Sequence, residues 1–201
     1  MKKSKNIFKS LLLLAFPLLL TPLSASEFKT TSQNTEIIES QVSQIDDFLV
    51  LIQKRLALTD SIAKWKWNRT RPILNEEAEQ KLLNQVAEKA SEKGLNPEST
   101  KHFFRDQIEV AKLIQISHFE NWSEEKVSKH DEDFDLNEDL IPQMQTINEA
   151  LLSKLVSLQP LLEEKSGQAL LYERAQVVLK GYPKEVIDTS VHSLLDLQPS
   201  K

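Results

Sequence analysis

The chain has 201 residues, with 25 basic and 30 acidic side chains, a formal net charge of −5, three glycines and no cysteine. That balance excludes a non-specific nucleic-acid binder, which needs a basic surface, and the missing thiols exclude both disulfide staples and thiol catalysis. The length suits one domain with a substantial core.

The chain opens with Lys2, Lys3, Lys5 and Lys9, followed by an apolar run from Leu11 to Leu20 broken only by Pro17. Small residues follow at Ser24, Ala25 and Ser26. This order predicts a cleaved export signal over residues 1–26, with cleavage after Ala25 or Ser26. The apolar run is about ten residues, half of what a bilayer span needs, so no stable membrane anchor is expected. Removal of the segment leaves 21 basic and 30 acidic residues, a formal charge of −9. The remainder, 27–201, reads as a single soluble domain outside the cytoplasm, periplasmic or secreted.

Glycine is scarce, and prolines fall between segments with helical periodicity, which predicts an all-α fold. The first helix is expected over Thr35–Asn68. Ile38, Val42, Ile45, Phe48, Leu49, Ile52, Leu56 and Ile62 mark one face, with no glycine or proline between them. At ~1.5 Å per residue it is about 50 Å long and needs partners along its whole length. Its apolar face also leaves room for a homodimer. Asn75 is the expected N-cap of a second helix carrying Leu82, Leu83, Val86 and Ala90 and ended by Gly94. Pro97 begins a third helix with Phe103, Phe104, Ile108, Ala111, Ile114 and His118 on its inner face. The charged stretch Ser123–Asp135 reads as a solvated linker. Three further helices are expected over Asp139–Leu162, Gln168–Lys180 and Glu185–Leu195. The architecture is a bundle of five to six helices built on one very long N-terminal helix.

No metal-ligand spacing links His102, His118, His130 and His192, and there is no phosphate-binding glycine loop or nucleophile elbow. Neither a metal nor a cofactor is expected. The segment Arg55–Glu79 carries more information. Arg55 and Lys66 stand eleven residues apart, almost three turns, and project from one side of the first helix beside its apolar face. A cation there is costly without an anion, and two could bracket a small dianion. The alternative is that both stems lie along the core edge with their charges in water. The run Lys64-Trp65-Lys66-Trp67-Asn68-Arg69 also interleaves bases and aromatics, as single-stranded nucleic-acid and membrane binders do, but it is short and the chain is acidic.

Arg55, the eleven-residue step to Lys66, then Pro72-Ile73 and an acidic helix start resemble the all-helical chorismate mutase family. The likeness continues through Phe103-Phe104-Arg105-Asp106-Gln107-Ile108-Glu109 and Ala111-Lys112-Leu113-Ile114-Gln115. It is clearest over residues 51–119 and fainter in the C-terminal helices, 139–196. The long first helix, the signal and the extra C-terminal helices resemble the family's secreted or periplasmic (gamma) subclass. The resemblance implies conversion of chorismate to prephenate, an intramolecular rearrangement in aromatic amino acid biosynthesis. An ether carbon–oxygen bond breaks as a carbon–carbon bond forms, so positioning and electrostatics carry the catalysis. It also implies roles by position. Arg55 grips a carboxylate. Lys66 reaches a carboxylate and the ether oxygen. Gln115 donates to that oxygen at any pH, and Glu79 contacts the ring hydroxyl. Arg55, Lys66 and Gln115 are thus the implied catalytic residues, with Asn75, Glu79 and Ala111 beside them at the substrate.

The chain departs from the family pattern at four places. Asn75 stands for the usual aspartate and Ala111 for a serine or threonine, while Ala78 and Ile141 stand where arginines are expected. Arg69, Arg71 and Lys112 are the available replacements. Three readings follow: an exported chorismate mutase, weak if the missing cations are not replaced; a non-catalytic member of the fold binding a small anion or a protein; and a helical bundle with no ligand.

Overall fold

The computed structural model describes residues 25–195 apart from residue 133, with side chains from residue 33 onward. The expected signal segment therefore lies outside the described residues, except for its last two positions. The chain divides into two units, Met1–Glu36 and Ile37–Lys201, and the helical body described here is the second. Six helices appear in order: α1 (Ala25–Asn68), α2 (Glu76–Glu92), α3 (Pro97–Glu124), α4 (Ile141–Leu162), α5 (Lys165–Val178) and α6 (Lys184–Val191). A π-turn over Leu136–Leu140 leads into α4, and a 3₁₀ turn over His192–Leu194 follows α6. Among the described residues there is no strand, and no helix is long and apolar enough to cross a membrane.

The expected cap of α2 forms, and Asn96 caps α3 in the same way. Asn75 Oδ1 accepts the Ala78 amide at 3.1 Å, and Asn96 Oδ1 accepts the Ser99 amide at 2.9 Å, each satisfying a first-turn N–H. At the end of α2, Gly94 takes φ +76°. Its N–H bonds Ser91 O, and that of Leu95 bonds Ala90 O. This is a Schellman closure, and buried Leu95 seals it against the core. The turn makes α2 and α3 an antiparallel hairpin.

The directions of the other helices follow from the side chains that meet. Phe48 packs on Phe103, and further along Trp67 packs on Phe119, so α1 and α3 run parallel. Asp47 pairs with Lys154 and Arg55 with Asn148, so α4 runs antiparallel to α1. Asp46 meets Arg174, and Gln53 donates to Val178 O, so α5 runs parallel to it. The long helix thus finds a partner along each stretch from Ile45 onward. Ile45, Phe48, Leu49, Ile52 and Leu56 are fully buried in a core shared with α2–α6. Burying one such side chain is worth about 1.5–3 kcal/mol, and this stripe orients the polar residues on its flank.

Three expectations need correction. The first helix begins at Ala25, ten residues before Thr35, since neither glycine nor proline intervenes to stop it. Ile38, expected on the inner face, is exposed. Ser123–Asp135 is not a free linker, because α3 continues to Glu124 and the rest is strapped to the end of α1. Trp67 Nε1 donates to Val127 O at 3.1 Å. Asn68 exchanges hydrogen bonds with the His130 backbone at 3.0 and 2.8 Å, and Lys64 pairs with Glu132. The mixed basic and aromatic run is consumed by this strap, with Trp67 edge-on to Phe119 and Trp122 and with the Arg69 guanidinium over Trp65.

Candidate active site

Arg55 lies where α1, α3 and α4 meet. It is 3% exposed, although it sits on the edge of the apolar stripe. Its Nη1 donates to Gln107 O at 2.7 Å, and its Nε donates to Asn148 Oδ1 at 3.3 Å. Both acceptors are neutral. Burial without a carboxylate pulls the guanidinium down to about 10. Snorkelling is therefore ruled out for Arg55, whose head group is inside.

Lys66, on the last turn of α1, is half-buried, and its Nζ donates to Ile73 O at 2.7 Å. The turn at Thr70 folds the chain back so that this carbonyl comes within reach, with the Arg69 and Arg71 amides closing on Lys66 O. Burial lowers the Lys66 pKa, and the Glu79 carboxylate partly opposes that shift. Glu79, near the start of α2, is partly buried, with its Oε2 3.5 Å from Lys112 Nζ.

Gln115 on α3 is 5% exposed. One amide hydrogen goes to Ala111 O at 2.9 Å, and its Oε1 is buried without a hydrogen-bond partner. An amide nitrogen carries two hydrogens, so a second donor remains. The parallel register places this group. From Arg55–Gln107 to Trp67–Phe119 is twelve residues on each helix. Ala111 and Gln115 thus fall opposite Thr59 and Ala63, between the levels of Arg55 and Lys66. Thr59 and Ala63 are buried at these levels, and Ala111 is partly buried.

The remaining expected residues are more peripheral. Asn75 is exposed and its side-chain oxygen is committed to capping α2. Ala78 is exposed and carries no head group, and Ile141 is an exposed apolar side chain at the start of α4. Sequence reasoning assigned no role to two groups that hold Arg55, Gln107 and Asn148. Gln107 is fully buried, and its Nε2 ties α3 to Ser190 O at 2.7 Å. Each is a polar residue on an otherwise apolar face, which was the available signal.

Taken together, the fold is a helical bundle in which two buried or half-buried cations and an amide occupy neighbouring levels of the parallel helices α1 and α3, with the Glu79 carboxylate on α2. Residues 38–116 match the family model for chorismate mutase type II. The chain is 27% identical over 129 residues to a secreted chorismate mutase of Mycobacterium tuberculosis and 33% identical over 82 residues to one of Yersinia pestis. These alignments cover 64% and 41% of this chain and 64% and 44% of the relatives, so the chain spans less than two thirds of their length. A chorismate mutase structure from Burkholderia phymatum superposes with a TM-score of 0.71 at 22% identity, over 77% of this chain and 98% of that one. One from Burkholderia thailandensis gives 0.64 at 25% identity, over 76% and 99%. Over residues 38–116 the chain is similar to the chorismate mutase type II family, and its fold is that of the solved chorismate mutases.

Proposed function

We propose that the protein is an exported chorismate mutase, converting chorismate to prephenate at Arg55, Lys66 and Gln115 on α1 and α3. One observation carries the proposal: the Arg55 guanidinium is fully buried, and its hydrogen-bond partners, Asn148 Oδ1 and Gln107 O, are neutral. A buried cation without a counterion costs several kcal/mol, and an anionic ligand would repay it. Chorismate is a dianion that reacts without a nucleophile or metal. In this reading Arg55 takes one carboxylate, Lys66 a carboxylate and the ether oxygen, and the spare Gln115 N–H the same oxygen from the other helix. Negative charge grows there as the carbon–oxygen bond breaks, which is where fixed donors lower the barrier. Glu79 orients the ring hydroxyl. Export rests on the N-terminal pattern and on the relatives' description as secreted, and a periplasmic address is the finer form of it.

The test follows chorismate absorbance with purified protein, beside the variant Lys66→Ala. Turnover well above the spontaneous rate is expected, reduced by about two to three orders of magnitude in the variant while the helical circular dichroism is unchanged. No turnover at high protein concentration would sink the catalytic reading. Binding of chorismate without turnover would identify an anion binder on the same scaffold.

A further inference from the structure

The proposed reaction leaves a charge imbalance. A dianionic substrate beside Glu79 brings three negative charges, and Arg55 and Lys66 supply two positive ones. A partly buried site tolerates a leftover charge poorly. Arg69, Arg71 and Lys112 are the candidates to supply a third cation, and the structure separates them. The Arg69 guanidinium lies 5.0 Å from the centre of the Trp65 ring, on the exposed end of α1. Arg71 is exposed in the turn that follows. Lys112 is partly buried, with its Nζ 3.5 Å from Glu79 Oε2 and 2.7 Å from Glu109 Oε1.

Lys112 also stands on the right face. It follows Ala111 and precedes Gln115 by three residues, so it shares a helix face with Gln115. Glu79 lies within electrostatic reach of both Lys66 and Lys112 and so links the two cations across the hairpin. The two carboxylates that hold Lys112 are not equivalent. Glu79 is about three-quarters buried, whereas Glu109 is half exposed and only three residues away on the same helix. A pair of that second kind contributes little and is easily given up.

From this placement, and resting on the reading above, we infer that Lys112 is a third substrate-binding cation that exchanges Glu109 for a substrate carboxylate while keeping Glu79. It supplies the positive charge that exposed Ala78 lacks. The site is then neutral with substrate bound: three cations against the dianion and Glu79.

The experiment measures chorismate kinetics and, separately, prephenate binding by calorimetry, since the product is also a dianion and does not react further here. Lys112→Gln is expected to lower kcat/KM about 10- to 100-fold, mostly through KM, and to weaken prephenate binding by a similar factor. Lys112→Arg should stay within a few-fold of the parent. Adding Ala78→Arg to Lys112→Gln should recover at least tenfold, and Glu109→Gln should lower KM. Circular dichroism reports the folding of each variant. If Lys66→Ala loses activity but Lys112→Gln keeps the parent KM and prephenate affinity, the role of Lys112 is overturned and the proposed function stands. Should the parent bind prephenate without turning over chorismate, and Lys112→Gln weaken that binding, the role stands and catalysis falls. If the parent neither turns over chorismate nor binds prephenate, both are overturned.

Discussion

Arg55 on the long helix and Arg174, which reaches that helix from α5, are held in opposite ways. Arg174 reaches from α5 to Asp46 with two bonds of 2.7 Å, Nε to Oδ1 and Nη2 to Oδ2, at a partly exposed position. The paired hydrogen bonds with Asp46 hold its guanidinium above the ordinary value despite some desolvation. Arg55, nine residues along α1 from Asp46, has the reverse arrangement: full burial, neutral acceptors and a lowered pKa. A fold selected for stability alone would leave an unmatched guanidinium outside. Here the matched pair sits where water already screens it, and the unmatched charge is stored in the core. In the proposed function Arg55 is kept for an anion from outside the chain, whereas Arg174 is a clip between two helices.

The sharpest way to break this contrast is Arg55→Met, which fills a similar volume without charge. Its kcat/KM for chorismate should fall by about two to three orders of magnitude. Its thermal midpoint should move by only a few degrees. The buried charge is relieved, but Asn148 Oδ1 loses its donor, and these effects oppose one another. A variant that unfolds while residual folded protein keeps full turnover would make Arg55 structural, and the contrast would vanish.

The next effect is in the pH profile. Arg55 is pulled down to about 10 by burial, and Lys66 is lowered below its ordinary 10.5 by burial, partly opposed by Glu79. Only the protonated forms attract a dianion, so kcat/KM should decline on the alkaline side, beginning below the normal lysine range. The stability sign is the reverse. At neutral pH both groups are charged in the folded and unfolded chains, and the folded state bears the desolvation cost. As pH rises through the folded pKa of about 10 for Arg55, the unfolded chain binds more protons, so this contribution to stability increases. Lys66→Arg should shift the alkaline limb upward if it retains turnover. An unmoved limb would assign it to other groups.

Most of the scaffold was legible because its signals are local. The three-and-four spacing of Ile45, Phe48, Leu49, Ile52 and Leu56, the caps Asn75 and Asn96 and the stop at Gly94 each act within a few residues. The eleven-residue step from Arg55 to Lys66 showed that both leave the same side of α1. It could not show that Arg55 is sealed, because the seal comes from Gln107 and Asn148, 52 and 93 residues away. Nor could charge counting choose among Arg69, Arg71 and Lys112. The choice depends on which way a turn and a hairpin aim them. The strap was missed for the same reason: Val127, His130 and Glu132 look solvated until Trp67, Asn68 and Lys64 supply partners from another helix.

The smallest expected effect is at the other arginine. Arg174→Ala removes a two-bond pair, but its partners are partly in water, and exposed pairs are screened by salt and offset by side-chain ordering. The melting temperature should drop slightly at low ionic strength, and the difference from the parent should shrink toward zero in about 1 M salt, where the screening length is about 3 Å. Chorismate turnover should be unchanged in either buffer, because the clip joins α5 to α1 nine residues before Arg55 and no hydrogen bond of Arg174 reaches the cations between α1 and α3. The salt series matters more than the size of the drop. A deficit that persists at high salt would mean that the arginine stem holds α5 through packing. A loss of turnover would mean that the α5–α1 contact sets the position of Arg55, and the two arginines would then be one coupled device rather than two separate uses of the same side chain.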